Sequence, residues 1–142
     1  MSWIFFAVFT SLGYSCFGIF MKLVSGKISS SVAAMIVSAA AFMVAAIFSI
    51  FLKASGQNLI CNKNLVIFPI LAGILACLSD IAYFLMLDKG ISVSIASPFV
   101  LGGTVFFTVI LGILFLKEEL NLINSLGIIM IVIGSILLIE SN

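Results

Sequence analysis

Five continuous apolar runs, each the length of a membrane-spanning helix, take up nearly the whole chain: Trp3 to Val24, Val32 to Leu52, Leu65 to Leu87, Ile91 to Leu116 and Leu122 to Ile139. A bilayer core of about 30 Å needs roughly 20 apolar residues of helix at 1.5 Å rise per residue. Runs of this length and number leave little chain for a water-soluble domain. Only 8% of the 142 residues are charged and 64% are hydrophobic, where a soluble domain carries roughly 25% charged residues. The mean hydropathy is +1.46. Each run is apolar on both faces and rich in Leu, Ile, Phe, Ala and Met, whereas membrane β-strands alternate between apolar and polar residues. The expected fold is an all-α integral membrane protein, a single domain over residues 1–142 with five transmembrane helices.

The same composition bounds the chemistry. The N-terminus lacks a basic region and its first apolar run exceeds a signal-peptide core, so no cleaved leader is expected. Cys16 and Cys77 fall inside runs and Cys61 in a loop, with no CxxC motif and no histidine. Neither a disulfide framework nor a metal site is indicated. A Gly-rich phosphate loop and a basic patch are both missing, which argues against ATP-driven or nucleic-acid roles. Nothing points to an enzyme or to a bound cofactor.

The connections at Ser25 to Ser31, Lys53 to Asn64, Asp88 to Gly90 and Lys117 to Asn121 are short, so successive helices run antiparallel. That places the N-terminus, Lys53, Lys63 and Lys117 on one membrane face and Lys22, Lys27 and Lys89 on the other. Three lysines against three, with no arginine, give the positive-inside rule no preferred orientation beyond the N-terminal amine. Either the run boundaries are slightly displaced or the chain inserts both ways up. Equal populations of inverted chains would form an antiparallel homodimer, which reproduces the inverted repeats used for alternating access.

Face by face, the helices differ. Helix one carries Ser11, Gly13, Tyr14, Ser15, Cys16 and Gly18 near mid-membrane. This small, weakly polar stretch suits close helix packing, or makes Tyr14 and Ser15 part of a pocket wall. Helix two places Ala34, Ser38, Ala41 and Ala45 on one seam, the pattern of a packing face. Helix four opens with Pro98 after SVSIAS and continues through Gly102 and Gly103, which reads as a hinge or as an ordinary kink near a helix start. Pro69 near the start of helix three is of the ordinary kind. On helix five, Gly127 and Gly134 lie seven residues apart on one face, suited to a dimer interface or to intrachain packing.

Helix three holds the one acid deep within a run. Gly73, Ala76, Cys77, Asp80 and Tyr83 share a face by their three- and four-residue spacing, opposite Leu75, Leu78 and Leu85. Asp80 lies roughly 10 Å below the interface at 1.5 Å per residue. An aspartate is too short to snorkel that far, and a central Asp costs about 2.5 to 3.5 kcal/mol to insert. It requires partners, water or a task. One reading makes it a structural pin, bonded to Tyr83, Ser79 or helix-one hydroxyls or ion-paired with Lys22. The other makes it a site for a proton or a cationic group in a shared cavity. A displaced run boundary would expose it instead.

The run from Ala82 to Leu138 resembles the C-terminal half of the EamA-type domain of the drug/metabolite transporter superfamily. The resemblance rests on DKGISVSIASPF, LKEELN and LGIIMIVIGSILL, in which Gly90, Ser92, Pro98, Glu118, Leu120, Gly127 and Gly134 match the family pattern. The opening helix, GYSCFGIFMKLV with Lys22, is similar to the family's first helix. Lys117, Glu119 and Asn121 replace the glycine, arginine and threonine of the family's surface turn. Asp80 matches no family signature. The four-helix small multidrug resistance relatives carry their membrane glutamate in helix one, and helix one here has no acid, so their proton-antiport scheme does not transfer directly.

The family usually fuses two five-helix domains of opposite orientation, so the resemblance implies half of a ten-helix inverted-repeat transporter in the cytoplasmic (inner) membrane. The partner would be a second copy or an inverted paralogous half. The function implied is secondary transport, or export, of small metabolites, amines or drug-like molecules by alternating access, driven by ion or solute gradients. Substrate would sit between helices one, three and four of both chains, with Asp80 on its cationic group, Tyr14 and Tyr83 as aromatic contacts and Pro98 allowing rocking. Flipping of a lipid-linked polar group is the alternative transport activity, and a membrane assembly subunit the alternative outside transport.

Overall fold

The computed structural model describes the backbone of residues 2–140 and the side chains of residues 3–138. The N-terminal amine that entered the charge count lies outside them. The described chain is all helical: α1 Ser2–Val24, α2 Ser30–Ala54, α3 Ile67–Asp88, α4 Val93–Leu111 and α5 Leu122–Glu140. A short 3-10 turn, Lys63–Leu65, precedes α3, and a π-helical segment, Gly112–Leu116, extends α4. The first four helices, with these extensions, are long and apolar enough to cross a membrane. The apolar stretch of α5, Leu122–Leu138, is shorter, about 26 Å at 1.5 Å per residue and at the lower limit for a span.

Helix ends follow local backbone demands. α1 gives way to a turn in which Gly26 takes φ +73°, a conformation that favours glycine. α2 starts at Ser30, two residues earlier than its apolar run, because the Ser29 carbonyl already accepts from Ala33 N at 2.9 Å. α3 starts two residues later than its run. The preceding 3-10 turn is fixed by Asn62, whose side chain accepts from Asn64 N at 3.1 Å. Pro69 is the third residue of α3, where its missing N–H removes no intrahelical bond. α4 begins at Val93 because Ser92 is extended, at φ −71° and ψ 145°.

The chain divides into two compact units, residues 1–90 and 91–142. In the first, α3 packs against both α1 and α2, more extensively against α2. Its core is Ala33, Ala34 and Phe84, with Phe17, Met21, Val37, Cys77, Ile81 and Tyr83 against it. The rings of Phe17 and Phe84 lie 6.1 Å apart. In the second unit α4 and α5 form one extensively packed pair, with Ala96, Gly102 and Ser135 buried. Most other large apolar side chains point outward; Trp3 is 71% exposed and Phe42 74%. Apolar exposure along the length of every helix fits acyl chains, not water.

Candidate functional site

Asp80 lies on α3 two turns before the helix ends, half-buried beside Cys77, Ile81 and Tyr83. Leu75, Leu78 and Leu85 on the other side of α3 are more than half exposed. The helix therefore turns its acid towards the packed side of the unit. No hydrogen bond to Asp80 is found among the described residues. Of the partners expected for a structural pin, Lys22 bonds elsewhere: its Nζ donates to the Leu87 carbonyl at 3.0 Å, about two turns further along α3. The Tyr83 ring stands edge-on to Phe84, centroids 6.3 Å apart.

The other pocket residues on α1 are not brought to the acid. Tyr14 is 70% exposed, and the Ser15 hydroxyl donates to its own helix at Ser11 O, 2.8 Å. Thr10 and Ser11 do the same, to Phe6 O and Ala7 O. Self-bonding of this kind satisfies a hydroxyl in lipid without a second helix. The small-residue seam of α2 is used only at its start: Ala34 is buried, whereas Ser38, Ala41 and Ala45 are exposed.

A second acid, just past the end of the third apolar run, gathers three hydrogen-bond donors. Asp88, the last residue of α3, accepts from Ser25 Oγ at 2.7 Å, Gly26 N at 2.8 Å and Ser30 Oγ at 2.7 Å. A sequence signal was available. A carboxylate at a helix C-terminus meets the negative end of the helix dipole and an array of unpaired carbonyls, so it needs donors from elsewhere. The serines and glycine between the first two runs supply them.

In the second unit, α4 runs unbroken through Pro98, in its second turn. The irregularity comes at its other end, where the π segment begins at Gly112 and Lys117 takes φ 56°. Gly102 and Gly103, both read as hinge positions, differ. A Cβ on Gly102 would collide with the Ser135 side chain, whereas one on Gly103 meets nothing within 4 Å. Gly102 is thus a close-packing residue of the α4–α5 pair. Gly127 and Gly134 of α5 have no neighbour within 4 Å of a built Cβ, so this helix pair does not use them. An open, almost wholly apolar groove of about 300 Å³ runs beside the same pair, lined by residues that include Phe106, Ile110, Leu120, Ile129 and Ile133. No cluster of metal-ligating side chains is found among the described residues.

Comparison with known families matches residues 1–140 to the EamA-like transporter family. A relative in Methanocaldococcus jannaschii, an uncharacterized protein, is 37% identical over 84 residues, which is 59% of this chain and 60% of the relative. No solved structure matches. The match to the family runs from the first helix to the last, through the acid-bearing α3 and the α4–α5 pair, and the chain belongs to the EamA-like transporter family.

Proposed function

We propose that this chain is a secondary transporter of small metabolites, amines or drug-like molecules, working by alternating access as an antiparallel homodimer in the cytoplasmic membrane. The family match over residues 1–140 supports the transport class. The observation that carries the site is Asp80, half-buried in a membrane helix with no hydrogen-bond partner among the described residues. A carboxyl at that depth is costly without a task. Binding a proton or a cationic substrate, one excluding the other, supplies the task and couples the two fluxes. Tyr83 flanks the acid, and Pro98 lets α4 bend. Tyr14 and Ser15, which this chain alone does not bring to Asp80, contribute through a cavity shared with the second copy.

The test is proton-driven flux of a fluorescent organic cation, ethidium, in proteoliposomes. Asp80→Asn is expected to remove the pH-dependent component, at least tenfold, while leaving the folded protein intact. If pH-dependent flux persists in that variant, Asp80 is not the coupling site. The apolar groove beside α4 and α5 favours a second reading, movement of a lipid-linked polar group, whose chains would lie along Phe106, Ile129 and Ile133. Flux of a fluorescent lipid rather than ethidium would select it.

A further inference from the structure

The helices of the first unit are joined at one end by short hydrogen bonds that converge on a single carboxylate. Asp88 at the end of α3 accepts from Ser25 and Gly26 in the α1–α2 turn and from Ser30, the first residue of α2. Lys22, in the last turn of α1, donates to the neighbouring Leu87 carbonyl, and its charge attracts the Asp88 carboxylate. Hydrogen bonds to an ionised acceptor are about twice as strong as neutral ones. Three of them from two other elements offset the unfavourable place of an acid at a helix C-terminus.

Burial in this unit has the same polarity. Its buried residues are Gly18 on α1, Ser30, Ala33 and Ala34 on α2, and Phe84 and Leu87 on α3, all within about two turns of the Asp88 end. Among the described residues none is buried in the segments 3–17, 35–54 and 67–83. Local stability follows buried contacts and satisfied hydrogen bonds, so the two ends of these helices differ in how readily they open.

We infer that Asp88 is a latch: its carboxylate holds the α1–α2 turn against the end of α3, making this the fixed end of the three helices, and relative movement of α1, α2 and α3 opens at the opposite membrane face. The inference goes beyond the transport reading, because it states which end moves whatever crosses the membrane.

Amide hydrogen exchange on the full chain in lipid nanodiscs tests it, comparing the Gly26 amide and residues 24–31 with residues 3–10. In the native chain the turn should exchange more slowly than the exposed first turns of α1. Asp88→Ala is expected to raise exchange at Gly26 about tenfold or more, in line with the loss of charge-assisted bonds, with little change at residues 3–10. Ser30→Ala should give a smaller rise alone and none on top of Asp88→Ala, since both act through one carboxylate. An unchanged Gly26 rate, or an equal rise at both ends, would overturn the latch. Should Asp88→Ala not fold, Ser25→Ala and Ser30→Ala each remove one donor and keep the charge. A rise confined to the turn then supports the latch, and no rise overturns it.

Discussion

Lys117 holds a backbone conformation that suits another residue. It closes the π segment of α4 at φ 56° and ψ 36°, where an L side chain brings its Cβ against the following carbonyl at a cost of about 1–2 kcal/mol. Lysine stands here where the resemblance leads one to expect glycine, the residue that this conformation favours. The backbone gives this difference a specific consequence. Lys117→Gly is expected to stabilise the folded chain by about 0.5–1 kcal/mol, the relief being reduced by glycine's greater freedom in the unfolded state. Lys117→Val should act in the opposite direction, because a branched Cβ tolerates the left-handed region worst. Lys117→Asn separates backbone from charge: it removes the ammonium yet accepts this conformation, so it should fall between lysine and glycine. Reversible unfolding in detergent gives the order, and a Val variant as stable as the Gly variant would refute the backbone argument.

At the scale of helix pairs, Gly102 and Gly103 look alike in sequence and do different work. The Ser135 hydroxyl donates to Val132 O at 2.8 Å, which holds the Ser135 side chain against Gly102, and a methyl there would lie 2.5 Å from Ser135 Cβ. Gly102→Ala is expected to cost about 1–3 kcal/mol through overpacking. Ser135→Gly in the same chain should recover much of that loss, because it removes both clashing atoms. Gly103→Ala, with open space beside it, should be neutral or stabilising by up to about 1 kcal/mol from helix propensity. If Gly102→Ala is no worse than Gly103→Ala in detergent unfolding, the close crossing is not formed. This pair marks what could be read in advance. Helix number and approximate bounds were legible because a 20-residue apolar run has few other uses. The choice between the two glycines depended on Ser135, 33 residues away by number, and nothing in local spacing announces such a meeting. Asp88 was legible only in part: an acid at a helix C-terminus calls for donors, but which groups supply them depends on a turn and a helix start some sixty residues earlier. Asp80 was conspicuous because its depth alone made it costly. The π segment left no sequence signal, as Gly112–Leu116 reads as uninterrupted apolar helix.

For the whole molecule, the question is what covers α5. Gly127 and Gly134 lie on one face and have nothing within 4 Å of a built Cβ, so a larger side chain at either would leave the α4–α5 pair undisturbed. Small residues at that spacing let a second backbone approach closely, and close approach is the main source of helix association in lipid, where burial of apolar surface gives no net driving force. An antiparallel homodimer through this face is also the assembly that a lysine balance of three against three permits. Two measurements then have to agree. Gly127→Leu with Gly134→Leu should convert a detergent-solubilised dimer to monomer while leaving its unfolding midpoint at low protein concentration unchanged. Single cysteines placed at the two termini of a chain lacking Cys16, Cys61 and Cys77 should each be about half labelled by an impermeant thiol reagent on intact cells. Half labelling with a dimer that survives the leucines would keep dual orientation and move the interface off α5. Full labelling of one terminus and none of the other would end the antiparallel homodimer, whatever the leucines do, because identical chains inserted one way up cannot supply the inverted partner that alternating access between opposed halves requires.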